Sequence, residues 1–237
     1  MFYRLKDTRT DMKLTYYGHS CFSMEIGGKH ILFDPFITGN PLASEIRVGD
    51  IHADFIFVTH GHADHILDCV DIATRTGALV VTNWEIHEWL NKQGVGNTHP
   101  MNTGGKWQFP FGMVKAVTAV HSSGLPDGTY GGNPMGFVVK SASGNFYYSG
   151  DTALTLDMQL VNSFVPPDFS ILPIGDNFTM GFEDAARAAH MLQCRKVIGV
   201  HQGTFGLIKI DIDKAKSHFV HQGLELIIPV IGNTIEI

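Results

Sequence analysis

Asp54-Phe55-Ile56-Phe57-Val58 runs straight into Thr59-His60-Gly61-His62-Ala63-Asp64-His65. The first run is short, aromatic and β-branched, which predicts a buried strand. Beyond the second, Ile66, Cys69, Val70 and Ala73 fall at i, i+3, i+4 and i+7, one face of a helix. Three imidazoles and a carboxylate therefore occupy the turn between a strand's C-terminal end and a helix, where open α/β sheets place their sites. Imidazole nitrogens and carboxylate oxygens are ligands for divalent metals such as zinc, manganese or iron. Three His and one Asp in a mostly apolar setting suit that role better than they suit a solvated turn.

The surrounding composition is that of a folded protein. The chain has 237 residues, 44% hydrophobic and 17% charged, enough to bury a sizeable core. One domain over 1–237 is expected, built of two similar halves, roughly 1–125 and 126–237. Net charge is −6 and no Lys/Arg run occurs, which argues against nucleic acid or an anionic membrane as partner. The N-terminus lacks an apolar h-region and no 18-residue apolar stretch exists, so neither a signal peptide nor a membrane span is expected. Cys21, Cys69 and Cys194 are odd in number and widely spaced, which points to a reducing compartment and a cytoplasmic location. A homo-oligomer is compatible with all of this.

Along the chain, Lys13 to Tyr17, Cys21 to Ile26 and Lys29 to Phe33 read as strands, with Gly27-Gly28 as a hairpin turn and Gly18-His19-Ser20 interrupting the first pair. Ala78 to Thr82 reads as a strand, and Asn83 as the cap of a helix from Trp84 to about Asn91. A short strand falls near Lys106 to Phe109. Val114 to Val120, Gly136 to Lys140, Asn145 to Ser149, Asp168 to Ile174, Val197 to Val200 and Leu224 to Val230 read as further strands. Phe182 to Ala189 and Asp211 to His221 read as helices. Residues 122–136 read as a long irregular loop and a candidate lid.

His121, Asp151 and His201 each stand at the C-terminal end of one of these predicted strands, so they can converge on one pocket with the His cluster. In order, Thr59-His60-Gly61-His62-Ala63-Asp64-His65, His121, Gly150-Asp151-Thr152 and His201 resemble the metallo-β-lactamase superfamily over nearly the whole chain. The resemblance implies an α/β (α+β) fold, an αββα four-layer sandwich with a dinuclear site at one edge. It implies that His60, His62 and His121 hold a first metal, that Asp64, His65 and His201 hold a second, and that Asp151 bridges them. Asp34 matches an early acid that supports the ligand loop instead of ligating. No Cys lies in a motif and Asp151 is present, unlike many true β-lactamases, which favours branches acting on phosphoesters, thioesters or lactones. The nuclease branches carry an RNA-binding arm or inserted domain, for which this chain has neither room nor charge. Gly18-His19-Ser20, Asp34-Pro35, His121-Ser122-Ser123 and Gly175-Asp176-Asn177-Phe178-Thr179-Met180-Gly181 more closely resemble a group of small metal-dependent hydrolases related to the L-ascorbate-6-phosphate lactonases.

Two divalent ions are therefore expected, zinc first among them, with manganese, nickel or iron also matching a His/carboxylate shell. Metals about 3.5–4 Å apart share a water and lower its pKa towards roughly 7, so the resemblance implies a metal-bound hydroxide as nucleophile. Asp64 would orient it and pass a proton to the leaving group. His19 is read as a proton donor or substrate contact, against the alternative of a structural hydrogen bond from its ring. Ser122 and Ser123 read as the start of a loop, not a nucleophile. Asn177 to Gly181 could present backbone N–H groups to an anion, or be a plain turn. Trp84, Trp89 and Trp107 read as core or interface. The expected activity is hydrolysis of a small ester-, lactone- or phosphoester-type metabolite, anionic or ester-like. The alternatives are a phosphodiesterase on cyclic nucleotides or phospholipid-like substrates and, more remotely, a non-hydrolytic di-metal redox or binding protein.

Overall fold

The structure, a computed structural model, describes residues 12–237. The first part of the chain gives strands β1 (Lys13–Gly18), β2 (Cys21–Ile26), β3 (Lys29–Phe33) and β4 (Phe55–Phe57), then helices α1 (Ala63–Ile66) and α2 (Cys69–Thr76). Strand β5 (Leu79–Thr82), helix α3 (Trp84–Lys92) and strands β6 (Thr98–Pro100), β7 (Lys106–Phe109) and β8 (Gly112–Thr118) follow. Next come β9 (Met135–Lys140), β10 (Asn145–Tyr148), α4 (Val161–Phe164), β11 (Phe169–Pro173) and α5 (Phe182–Met191). The chain closes with β12 (Lys196–Val200), α6 (Ile212–His221), β13 (Glu225–Ile227) and β14 (Thr234–Glu236).

Among the described residues the strands form two seven-stranded sheets, ordered β14-β1-β2-β3-β4-β5-β6 and β13-β12-β11-β10-β9-β8-β7. The strands read as unbroken apolar runs because both faces of each sheet are covered. In β10, Phe146 and Tyr148 enter the core between the sheets while Tyr147 faces outward under helices. In β4, Phe55 and Phe57 enter the same core and Ile56 faces the opposite way, against Ile66, Cys69, Ile72 and Ile86. Helices α5 and α6 cover the second sheet through Ala185, Ala189, Ala215 and Phe219. The layers are thus αββα. The shared core is dense in aromatic edge-to-face pairs, such as Phe57 with Phe137 at 5.0 Å between centroids. Phe57→Ala should cost about 3–5 kcal/mol of stability, the range for truncating a buried Phe, read as a drop in urea midpoint with unchanged slope.

Strand direction explains where the site lies. Strands β1 and β3 both run antiparallel to β2, and β3 to β6 are mutually parallel. In the other sheet β8 and β10 both run antiparallel to β9, and β10 to β13 are parallel. The C-terminal ends of β1, β3, β4, β8, β10, β11 and β12 therefore lie on matching edges, and each leads into a segment of the site.

Several sequence expectations need correction. The helix expected through Ile66 and Ala73 is broken between α1 and α2. The break is fixed by Asp68, whose carboxylate accepts hydrogen bonds from Ile37 N (2.6 Å), Thr38 N (2.9 Å) and Thr38 Oγ1 (2.5 Å). Strand β8 ends at Thr118, so His121 stands in a loop three residues on. Strands β6 and β14 were not foreseen, being three residues each. Trp84 and Trp107 are about half exposed, which excludes the core half of the core-or-interface reading.

A candidate metal centre

The site is built on Asp34, which stands just after β3 with φ of 41°, in the left-handed region. Its carboxylate is fully buried and gathers four donors: Thr59 N (2.8 Å), Thr59 Oγ1 (2.7 Å), His65 Nδ1 (2.9 Å) and Tyr148 OH (2.5 Å). Because Thr59 Oγ1 spends its proton on Asp34, it accepts from His60 Nδ1 at 3.0 Å. That network assigns the Nδ1–H tautomer to His60 and leaves its Nε2 lone pair facing His62 Nδ1 at 3.0 Å. Gly61 N donates to Ser123 Oγ, which donates to Gly131 O, so the loop at 122–131 is bolted to the ligand turn and does not behave as a free lid. Gly150 has φ of 60° and packs on Thr59, which lies 2.8 Å from where a Cβ would stand, so only glycine fits beside Asp151.

Eight side chains converge. His60, His62 and His121 form one group of donors, His19, Asp64, His65 and His201 a second, and His60, His65 and Asp151 a third, with ligand atoms within 4.8 Å of one another in each. Asp151 Oδ2 lies 2.9 Å from His201 Nε2, 3.2 Å from His65 Nε2 and 3.6 Å from His121 Nε2. The His65 contact is close enough for charge attraction but misaligned for a hydrogen bond. His65 Nε2, Asp151 Oδ1 and His201 Nδ1 are buried with no hydrogen-bond partner. Imidazole lone pairs facing each other and an orphaned carboxylate oxygen fit a divalent cation, the usual reason for such groups to be left unpaired.

The charges reinforce one another. Burial works against a charge on His65, but the Asp151 and Asp34 carboxylates outweigh it and hold its pKa well above the imidazole range. Burial likewise opposes ionised Asp151, yet His65 and His201 pull it well below the carboxylate range. His60 is pushed well down by burial and then by His65, against the Asp151 carboxylate, so it stays neutral.

His19 is 1% exposed and has φ of 55°. Its carbonyl accepts from Tyr16 OH (2.8 Å) and from His201 N (2.8 Å), so one turn positions two site residues. Its Nδ1 meets Thr204 Oγ1 at 3.0 Å and its Nε2 meets Asp64 Oδ2 at 3.1 Å. Burial lowers its pKa to about 4, partly offset by the Asp64 hydrogen bond. A sealed, neutral ring with both nitrogens engaged reaches a bound molecule only through Asp64. A base held neutral in the fold favours folding above its unfolded pKa of roughly 6.5, and that stability is lost as pH falls through the folded pKa. Raised His65 acts oppositely, its contribution being complete below roughly 6.5 and lost as pH rises. His19 alone should therefore cost metal-free protein on the order of 3 kcal/mol as pH falls from about 6.5 to 4, added to losses from His60, His62 and His121, whose pKa values are also lowered. Urea unfolding of chelator-treated protein checks this, and a flat profile between those values contradicts a neutral His19.

All seven expected ligands and His19 are thus neighbours. The turn at 175–181 is a plain one: Asp176 N, Asn177 N, Phe178 N and Met180 N are spent on Met180 O, Asp176 Oδ1, Asp176 O and Thr152 O, so it offers no amide nest to an anion. Sequence reasoning missed Tyr148, Ser123 and Thr204 as supports. Tyr148 had a signal, since it stands three residues before Asp151 at a strand end, whereas Thr204 lies 185 positions from His19 and had none.

Comparisons with known proteins agree with this geometry. Residues 13–201 match the family described as beta-lactamase superfamily domain. A UPF0173 metal-dependent hydrolase of Flavobacterium johnsoniae is 50% identical over 226 residues, covering 95% of this chain and 100% of that protein. One from Christiangramia forsetii is 48% identical over 227 residues, covering 95% and 100%. Among solved structures, Igni18, a metallo hydrolase of Ignicoccus hospitalis, superposes with a TM-score of 0.86 at 32% identity, over 96% of this chain and 99% of that one. An isothiocyanate hydrolase from Delia radicum gut bacteria shares the fold, with a TM-score of 0.77 at 21% identity over 94% and 98%. By sequence and by the fold that carries these donors, the chain belongs to the metallo-β-lactamase superfamily, among its UPF0173 metal-dependent hydrolases.

Proposed function

We propose that the protein hydrolyses a small ester-, lactone- or phosphoester-type metabolite at a centre of two divalent cations, zinc by first choice for this donor set. His60, His62 and His121 would hold one ion, Asp64, His65 and His201 the other, and Asp151 both. The observation that carries this reading is the third donor group, in which Asp151 meets one imidazole of each set and keeps an oxygen without a partner. A bound divalent cation supplies Lewis acidity, polarising the electrophile and acidifying a water.

The chain's own residues do the rest. Asp64 is 28% exposed while its neighbours His19, His65 and His201 are buried, so it is the carboxylate within reach of a bound molecule and suited to orient water and carry a proton to the leaving group. His19 is a positioning residue that fixes the Asp64 carboxylate. Ser123 has its hydroxyl committed on both sides and is no nucleophile.

Elemental analysis of protein reconstituted with zinc or manganese should approach two equivalents, and a value that stays near zero would sink the reading. His19→Ala should keep both equivalents and lower kcat/KM by roughly 10²-fold, the upper range for a group that orients a ligand. His19→Asn, which tolerates the left-handed backbone, should recover part of the loss. Loss of an ion in His19→Ala would make it an eighth ligand instead.

A further inference from the structure

The segments that carry or flank the donors are 17–20, 34–46, 58–68, 119–134, 149–156, 174–181 and 201–208. None of them contains a Lys or Arg, while they contain Asp34, Glu45, Asp64, Asp68, Asp127, Asp151 and Asp176. The first cations after them in sequence are Arg47, ion-paired to Asp50 at 2.7 Å, and Lys209, eight residues past His201. The same segments expose large apolar side chains: Leu67, Val120, Phe178, Phe205 and Leu207 are 38% to 70% exposed.

Each of these is tied to the centre. Leu67 follows His65 by two residues and packs towards Gly39 beside Phe36. Val120 precedes His121, and its N–H donates to Thr152 Oγ1, next to Asp151. Phe178 stands on the turn whose Met180 N donates to Thr152 O. The Phe205 ring lies 5.4 Å from His19 edge-on, and Leu207 shares its 3₁₀ turn. Recognition of a phosphate or carboxylate away from the metals calls for Arg, Lys or free backbone N–H groups. Among the described residues the donor-bearing segments supply no cation, and the turn at 175–181 has spent its amides. Apolar side chains around a polar floor instead favour burial of an apolar group.

Resting on the hydrolase reading above, we infer that this centre selects substrates that are uncharged away from the reacting group and carry an apolar group beside the scissile bond, and that Phe178 and Leu207 on its rim set that preference. Substrates with a second anionic group away from the reacting centre, as in phosphorylated sugars or nucleotides, are disfavoured.

Hydroxamates chelate divalent metals through a common head group and so report the rim without turnover. Metal-loaded full-length protein should be titrated calorimetrically with acetohydroxamic acid, hexanohydroxamic acid and adipic monohydroxamic acid, which has the hexanoyl chain length but ends in a carboxylate. Hexanohydroxamate should bind on the order of ten-fold more tightly than either of the others, the effect of burying about two methylenes. Phe178→Ala and Leu207→Ala should narrow that gap while leaving acetohydroxamate affinity unchanged. Phe178→Lys should improve the carboxylate-ended ligand selectively. Equal or tighter binding of the carboxylate-ended ligand, with acetohydroxamate bound normally, overturns the inference and leaves the metal centre standing. Failure of acetohydroxamate itself to bind protein that holds its metal overturns the hydrolase reading and this inference with it.

Discussion

Asp151→Ala is expected to lose at least one equivalent of metal and to lower kcat/KM on the order of 10³-fold or more, since cation stabilisation of a reacting centre contributes several kcal/mol. Asp151 is buried among His65, His121 and His201, and its carboxylate is the charge common to both donor sets. Removing it takes from His65 the first of the two carboxylates that hold its pKa up and leaves three imidazoles facing each other across a void. Such a variant should still fold, because the Asp34 network and the shared core do not pass through Asp151. The check is metal content beside activity and thermal unfolding. Full activity with both equivalents retained would refute the bridging role. Activity lost with both ions kept would move Asp151 from holding the metals to the chemistry itself.

Asp34→Ala should fail in a different way. Four hydrogen bonds end on this carboxylate, from Thr59, His65 and Tyr148, and all of them are buried. Stripping the acceptor orphans those donors and should destabilise the protein by about 3–5 kcal/mol, as when one partner of a buried charged network is removed. Metal affinity should fall about 10- to 100-fold as well, since His60 and His65 lose what fixes their tautomers. Asp34→Asn tolerates the positive φ and keeps the backbone bond from Thr59, but its amide cannot accept from His65 and Tyr148 together. Because Thr59 Oγ1, His65 Nδ1 and Tyr148 OH all meet Oδ2, where Asn places an NH2 that cannot accept, it should lose part of the stability lost by Asp34→Ala and bind metal poorly. Denaturant midpoints and metal titration separate the two effects. Equal affinity in Asp34→Asn and the parent would show that the carboxylate serves stability alone.

Much of this was legible in the sequence for physical reasons. A cluster such as His60, His62, Asp64 and His65 after an apolar run has few uses besides metal binding, and strand ends gave His121, Asp151 and His201 a common address. The short strands were visible as apolar runs because both faces are buried. That same double burial erased the alternation that would have told which sheet a strand joins. Nothing local announces that β7 and β8 belong with the second sheet or that β14 returns to the first. The expected helix through Ile66 and Ala73 had sound periodicity, but periodicity carries no sign that Asp68 is the acceptor that pins Ile37 and Thr38, 31 and 30 positions away. The role of His19 was undecidable because its partners, Asp64 and Thr204, are 45 and 185 positions away.

The return of β14 has a bearing on biosynthesis. Thr15 and Thr234 touch through their hydroxyls although 219 positions separate them, and Gly232 N closes onto Tyr16 O at 2.7 Å. The ribosome therefore makes β1 219 positions before the strand that becomes its outer neighbour. Until β14 is made, the flank of β1 that it covers stays unpaired, the kind of surface that recruits stray strands from other chains. Ile231, which packs against Gly18 in the finished protein, arrives just as late, so the turn bearing His19 gains its buttress only then. Contacts closed over such spans slow folding. Maturation of the centre accordingly waits on the closure of this long-range pairing, and the interval before it closes determines how much chain is captured by aggregation before it can hold metal.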